Sequence, residues 1–193
     1  MNSPSPFLDT PGAGLPALEL FIVRRRFAFL RRRGNRESFI AKIESERSAI
    51  QELLKSSSSD QRNQPVLIRR PRGLEDSSRN WSVWMTLDHL RITNLAFANF
   101  IKELSEGTVP DLTVSTADVK PDPEVTEKVE KEFQNSCDAL LAVLANTPKL
   151  QTEHRFAHPW FGPLDAFGWL ALAALHLGIH RGQLTAILRG LPA

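Results

Sequence analysis

Two histidines near the end of the chain, His176 and His180, have the spacing that metal ligands use on a helix. Residues four apart in a helix lie one turn apart on the same face, so two imidazole nitrogens can reach one ion. Both belong to a stripe of core positions reached by steps of three and four residues: Trp169, Ala173, His176, His180, Leu184, Ile187 and Leu191. The pair is therefore expected inside the protein, and neutral hydrogen-bonded histidines without a metal remain the alternative.

A third histidine, His89, follows the same kind of stripe in another predicted helix, together with Met85, Ile92 and Ala96. At a rise of 1.5 Å per residue, all three histidines lie about 16–22 Å along their helices, so their rings can meet in the interior. A buried polar group without a partner costs about 1–3 kcal/mol, which a metal would offset.

Other residues that could do chemistry are given simpler interpretations. Asp88 adjoins His89 in sequence but points about 100° away, so we expect it to accept N–H groups rather than to bind the metal. His158 is expected to order the loop before the last helix, with a contact to the metal as the alternative. His154 and Glu153 are expected to be exposed.

The single cysteine, Cys137, excludes a disulfide framework and any cluster that needs several cysteines. It falls beside the apolar stripe of a helix and has no basic neighbour in sequence, so a packed thiol is expected rather than a nucleophile. Arg181 and Gln183 follow the last histidine, and we expect both to be solvated, with a place at the mouth of the site as the alternative.

Four segments with helical periodicity must position these residues, and together they predict an all-α four-helix bundle. They run from about Arg36 to Lys55, Ser78 to Glu106, Asp122 to Asn146 and Asp165 to Gly190. Ser77 or Ser78 is the expected N-cap of the second helix and Asp122 that of the third. The longest apolar stretch, Trp169 to Ile179, is too short to span a bilayer.

The connections are long and carry little strand signal, with 65–68 and 112–115 as the only candidates. Residues 107–121 can cover roughly 50 Å when extended, which is more than the length of a helix in this bundle. Loop length therefore does not force neighbouring helices to be antiparallel.

The charge of the chain is uneven, although 24 Lys and Arg nearly balance 22 Asp and Glu. Residues 1–36 have a net charge of +5 and the rest −3, which argues against a nucleic-acid-binding surface on the body. We expect residues 1–34 to form an irregular arm (1–16) and a basic helical extension, and residues 35–193 to form the bundle.

The extension contains two arginine triplets, Arg24 to Arg26 and Arg31 to Arg33. On a helical wheel the arginines interleave with the apolar residues, whereas a helix that lies on a membrane needs separated faces. We therefore expect the apolar residues to pack on the bundle while the arginines extend to solvent. Binding to a membrane surface or to nucleic acid, and a transit peptide, are the alternatives.

Two motifs resemble the DinB/YfiT-like superfamily of metal-binding bundles. The first is the segment from Trp81 to Leu90, with Trp81, Trp84 and His89; the second runs from His158 to Leu164 and continues to Trp169 and the His176/His180 pair. The resemblance extends from about residue 35 to residue 190.

This resemblance implies an up-down-down-up bundle with a connection that crosses between the second and third helices. It also implies a metal held by His89, His176 and His180. Imidazole ligands suit zinc, nickel, iron or copper without choosing among them, and we expect zinc, nickel or iron. Relatives include thiol-dependent transferases and isomerases that use bacillithiol, mycothiol or glutathione, which implies a low-molecular-weight thiol as a cosubstrate.

Two functions remain open on the sequence alone. The first is a cytoplasmic metal-dependent enzyme, a thiol transferase or a hydrolase, that acts on a small molecule and not on nucleic acid. The second is a non-catalytic binding or scaffolding bundle with a structural metal or none, which interacts through its basic N-terminal arm. A homodimer is compatible with both.

Overall fold

The computed structural model describes residues 7–192. Its elements, in chain order, are α1 (Ala17–Arg33), α2 (Arg36–Leu54), α3 (Ser59–Arg62), β1 (Val66–Leu67), a 3-10 turn (Asp76–Ser78), β2 (Asn80–Trp81), α4 (Val83–Ser105), α5 (Lys128–Asn146), β3 (Phe156–His158), β4 (Gly162–Leu164) and α6 (Ala166–Gly190). Helices α2, α4, α5 and α6 form the predicted four-helix bundle. None of the described helices is long and apolar enough to cross a membrane.

Side-chain caps begin three of the bundle helices. Asn35 starts α2 with a reciprocal capping box to Ser38, Ser82 accepts a hydrogen bond from the backbone of Met85 to start α4, and Asp165 caps α6. Each cap satisfies an N–H group that the first helical turn leaves without a partner. The predicted bounds of α2 and α6 therefore agree closely with the structure.

Two predicted helix starts were wrong. α4 begins after Ser82 rather than at Ser77 or Ser78, because residues 80–81 pair with β1 in an antiparallel ladder. α5 begins at Lys128, since Asp122 closes a turn with the backbone N–H of Glu124 instead of capping a helix. In both cases the residue expected to cap a helix lies in a turn instead.

The two long connections after α3 and α5 contain short strands. The predicted strand at 65–68 is present as β1, whereas 112–115 forms no strand. The hairpin of β3 and β4, at 156–164, was not predicted; it leads directly into α6.

The direction of α6 follows from its contacts with α2 and α4. The ring of Phe39, near the start of α2, lies 5.6 Å from that of Phe167, near the start of α6, so these helices are parallel. His89 and Phe97 of α4 contact His180 and Trp169 of α6 in reversed order, so α4 and α6 are antiparallel.

The third helix of the bundle runs parallel to the second. The Trp84 indole donates to Glu130 and Asn94 donates to Ser136, so that α4 and α5 advance together. Hence α2 and α6 point one way and α4 and α5 the other, which confirms the up-down-down-up topology. The connection of residues 106–127 must then cross the length of the bundle.

The predicted stripes form the core. The side chains of Phe39, Ile43, Ile50 and Leu54 from α2, and of Val129, Phe133, Leu140 and Leu144 from α5, are all buried. Truncating one of these large aliphatic side chains to alanine is expected to cost about 2–5 kcal/mol. The packing of these stripes holds α4 and α6, which carry the three histidines.

Helix α1 lies against the outside of the bundle at the end near β3 and β4. Phe27 is buried against Phe161 with ring centroids 4.5 Å apart, and Arg31 pairs with Asp165 at 2.7 Å. Gly34 then turns the chain into α2, at a point where a Cβ atom would overlap the ring of Phe39. The predicted extension is thus a helix that an aromatic contact and two ion pairs, Arg31 with Asp165 and Glu19 with Arg70, hold in place.

Candidate metal centre

Three histidine rings meet between the antiparallel helices α4 and α6. One ligand nitrogen from each of His89, His176 and His180 can be chosen so that all lie within 4.8 Å of one another. The Nε2 atoms of His89 and His176 are 3.1 Å apart. The structure therefore brings together the three histidines that the sequence singled out.

The crossing connection fixes the tautomer of His89. Its Nδ1 donates a hydrogen bond of 2.6 Å to the carbonyl oxygen of Val119. Because a carbonyl can only accept, the proton lies on Nδ1 and the lone pair on Nε2. That lone pair faces the other two histidines.

A buried amide does the same for His180. The Nε2 group of Gln183 donates to the carbonyl of Ser78 at 2.8 Å, so its Oε1 atom is left to accept from Nδ1 of His180 at 2.7 Å. The expectation that Gln183 is solvated was wrong, because its side chain is fully buried. The spacing of three residues from His180 places both on one side of α6, and that signal was present in the sequence.

The ring of His176 forms a triangle with the other two, with centroids 4.4–5.0 Å apart, but it has no such hydrogen-bonded partner. Its Nδ1 atom is buried and has no hydrogen-bond partner among the described residues. The edge of its ring meets Phe97, with centroids 5.5 Å apart. Its Nδ1 atom therefore lacks the fixed partner that the corresponding atoms of His89 and His180 have.

All three imidazoles are uncharged at neutral pH. Burial lowers the pKa of His89 to about 4, and it lowers the pKa values of His176 and His180 well below the ordinary value. The positive charge of Lys120 adds to the effect at His89 and His180. Neutral imidazoles are the form that binds a metal.

The donor set fits a transition metal. Two Nε2 lone pairs are aimed at a common point by fixed partners on the opposite ring nitrogens, as is usual for histidines that bind metals. The orphaned nitrogen of His176 shows that hydrogen bonding within the described chain does not satisfy the cluster. Three imidazole ligands leave further positions for water or substrate.

A cavity of about 130 Å³ adjoins the histidines. Most of its wall is apolar or aromatic and comes from α1, α4, α6, the crossing connection and the β3–β4 hairpin; it includes Val23, Phe97, Phe100, Val119, Trp160, Phe161, Trp169 and Leu172. An apolar cavity of about 150 Å³ can hold a benzene ring. The space beside the cluster therefore suits a small apolar group.

One ion pair, between the buried Glu75 and the partly buried Lys120, supplies the charged groups in this wall. Lys120 donates to Glu75 at 2.8 Å and lies 5.5 Å from the centre of the Trp81 ring. Glu75 also accepts from Thr116 and from the backbone of Gly12 and of Gly14. Burial raises the pKa of Glu75, but Lys120, Thr116 and the backbone of Gly12 outweigh it, so the pKa is lowered. No pattern in the sequence predicts this pair, since its members come from two loops.

His158 orders the hairpin, as predicted, and also lines the cavity. Its Nδ1 accepts from the backbone N–H of Trp160 at 3.0 Å. Burial lowers the pKa of His158 to about 4, so the neutral ring carries its proton on Nε2. It is not part of the cluster of three histidines.

The remaining candidates lie outside the cluster. Asp88 accepts from the backbone of Asp122 at 3.0 Å and pairs with Arg91, which confirms its role as an N–H acceptor. Burial raises the pKa of Cys137 to about 11, as expected for a packed thiol. Arg181, which was expected to be solvated, is only partly exposed and forms an ion pair with the buried Glu46.

The two remaining residues of this group, His154 and Glu153, are exposed, as predicted.

The model of the DinB superfamily matches residues 36–184, which include α2, α4, α5, most of α6 and all three histidines. The chain belongs to the DinB superfamily.

Solved structures agree with this DinB fold. One is TT2238, described as a four-helix bundle protein, with 22% identity and a TM-score of 0.59 over 79% of this chain and 99% of that one. Another is YfiT from Bacillus subtilis, described as a probable metal-dependent hydrolase with an unusual four-helix bundle topology. It has 18% identity and a TM-score of 0.56, and covers 80% of this chain and 86% of its own. No curated protein matches this DinB chain.

Proposed function

We propose that this chain is a metal-dependent enzyme with one metal ion held by His89, His176 and His180. The observation that carries the proposal is the convergence of three neutral imidazoles on one point beside an apolar cavity. When bound, a divalent transition metal such as zinc, nickel or iron supplies Lewis-acid activation of water, a thiol or a substrate oxygen.

The protein's own residues then bind and orient the substrate. Aromatic side chains, among them Phe97 and Trp160, exclude water and enclose an apolar group. His158 presents its Nε2–H group as a hydrogen-bond donor for a polar atom of the substrate. Gln183 and Val119 hold the ligand nitrogens in the protonation state that binding requires.

Hydrolysis of a small, largely apolar molecule is the reaction class that the cavity supports best. A thiol such as glutathione carries carboxylates, which need cations. In the described part of the chain, the only Lys or Arg that lines the cavity is Lys120, and Glu75 already neutralises it. The name of YfiT as a probable metal-dependent hydrolase supports the same class.

Thiol-dependent transfer, which the family resemblance implies, is the second reaction class to be assayed. A cytoplasmic location and a homodimer stay predictions.

Metal content is the first test. Protein purified without a histidine tag should contain about one equivalent of transition metal by elemental analysis, and the double variant His176→Ala, His180→Ala should contain almost none. His154→Ala, which removes an exposed histidine outside the cluster, is the matched control and should keep the full equivalent.

Turnover is a separate test. Metal-loaded protein is assayed with small aromatic esters and amides, and in parallel with bacillithiol, mycothiol or glutathione plus electrophiles. Ester or amide cleavage that the double variant loses would support hydrolysis, and activity only with a thiol would replace it by transfer. A full metal equivalent without turnover in either panel would favour the non-catalytic bundle.

A further inference from the structure

The outward side of α1 exposes an unusual number of large apolar side chains. Five of the ten exposed large hydrophobic residues of the described chain lie on this one helix: Leu18, Phe21, Ile22, Phe29 and Leu30. Leu18 is 73% exposed and Phe29 is 56% exposed. A concentration of exposed apolar side chains on one surface often marks an interaction site on a soluble domain.

Four arginines share this side of the helix, namely Arg25, Arg26, Arg32 and Arg33. None of them forms an ion pair with any residue in the described part of the chain. Two lie over exposed aromatic rings, Arg25 at 5.2 Å from the centre of Phe21 and Arg33 at 4.8 Å from that of Phe29. We call these four arginines and the five apolar residues the outer face of α1.

The opposite side of α1 is fixed to the bundle. Phe27 is buried against Phe161, Arg31 pairs with Asp165, and Arg24 donates to the carbonyl of Trp160. At 100° per residue the outer face occupies about half of the circumference, and these anchors lie in the other half. The outer face is thus held toward solvent by contacts on its own helix.

The expectation that the apolar residues of this segment pack on the bundle holds for Phe27 and is wrong for the five residues of the outer face. The helical wheel treated all apolar residues of α1 together, although one side of the helix faces the bundle and only the other side is open to solvent. On the solvent-facing side, every apolar residue lies beside an arginine. On a lipid surface, the long arginine side chain can extend to a charged headgroup while the neighbouring ring or aliphatic group inserts between the lipids.

We propose that the outer face of α1 docks on an anionic lipid surface. A second copy of the same face would bring eight unpaired arginines together, so like-charge repulsion disfavours that occupant. Nucleic acid would neutralise the arginines but would leave Leu18 and Ile22 exposed. An anionic bilayer satisfies both kinds of side chain, and a convex helix can lie on it without a shaped groove.

The test is co-sedimentation of the full chain with vesicles. Vesicles of phosphatidylcholine alone are compared with vesicles that contain about 30 mol% phosphatidylglycerol, at salt concentrations from about 50 to 500 mM. The wild-type chain should bind only the anionic vesicles, and added salt should weaken the binding.

Two pairs of substitutions separate the electrostatic contribution of the arginines from the apolar contribution of the aromatic rings. Arg25→Gln with Arg32→Gln should weaken partition about 30-fold, since each arginine contributes about fivefold. Phe21→Ser with Phe29→Ser should weaken it about tenfold or more. The matched control, Arg155→Gln with Arg189→Gln, removes the same charge from exposed positions outside α1 and should bind like wild type. Circular dichroism establishes that each variant is folded.

Several outcomes would overturn the proposal. One is equal loss of binding in the control pair, which would indicate attraction by net charge alone. Others are no binding to anionic vesicles, a preference for duplex DNA that displaces the vesicles, or a dimer in solution that the Phe21→Ser, Phe29→Ser variant dissociates. This test does not depend on the metal or on turnover.

Discussion

Replacing Gln183 by leucine should weaken metal binding although Gln183 is not a ligand. The side chain is fully buried, and its amide joins Nδ1 of His180 to the carbonyl of Ser78. Leucine has a similar volume but no polar atoms. The substitution therefore removes two hydrogen bonds while keeping the packing, and it frees the His180 ring to rotate or to change tautomer.

The magnitude follows from those two hydrogen bonds. Each buried group that loses its partner costs about 1–3 kcal/mol, so the metal-free protein should lose about 2–6 kcal/mol of unfolding free energy. Loss of a group that orients a ligand lowers metal affinity about 10- to 100-fold. At a fixed excess of metal, the lower affinity reduces the contribution of bound metal to the unfolding free energy by roughly a further 1.4 to 2.7 kcal/mol.

Affinity is measured by chelator competition and stability by urea unfolding, with and without zinc. Gln183→Glu is the comparison, because its carboxylate still accepts from His180 but cannot donate to Ser78. It should lose stability in the metal-free state and keep more of the affinity than the leucine variant. Equal zinc affinity in wild type and Gln183→Leu would refute the role of Gln183 in holding His180.

Two further predictions concern His158 and pH. His158→Phe keeps a ring in the cavity and should leave the metal at about one equivalent while turnover falls about 10- to 100-fold; loss of the metal would instead make His158 a ligand. The metal-free protein should lose stability as the pH falls from 6.5 to about 4. The pKa of His89 is 6.5 in the unfolded chain and about 4 in the folded protein, so the unfolded state binds the proton first and is favoured. The loss from His89 alone is about 3 kcal/mol and ends below pH 4. His158→Phe should make the loss smaller, since the pKa of His158 is also lowered to about 4, and His154→Ala should not change it; a flat profile in urea unfolding would contradict the assignment.

The helices and the histidine cluster could be predicted because the signals are local. The stripe that contains Phe39, Ile43 and Ile50 repeats with the period of a helix, and each of these side chains is buried. The same period places His176 and His180 on one face. The position of His89 followed from equal depth along a second helix of the bundle.

Groups that orient the cluster were harder to predict, because they depend on distant parts of the chain. Val119 binds His89 through a backbone carbonyl, which every residue has, so no side chain marks it. The pair of Lys120 and Glu75 forms only because the crossing connection returns to the loop before α4. The capping signals at Ser78 and Asp122 also misled, since Ser78 lies in a 3-10 turn that leads into the strand pair and Asp122 closes a local turn with Glu124.

The wall of the cavity extends beyond the part of the chain that the superfamily match covers. That match begins at residue 36, yet Val23 of α1 lines the cavity, and the backbone of Gly14 donates to Glu75. The inner side of α1 therefore shapes the space in which a substrate would lie, while its outer face carries the proposed lipid contact. Because one rigid helix forms both, an apolar substrate that partitions into a bilayer would meet the cavity wall at the same element that docks on the membrane. The segment before the bundle is thus better regarded as part of the site than as an appendage to it.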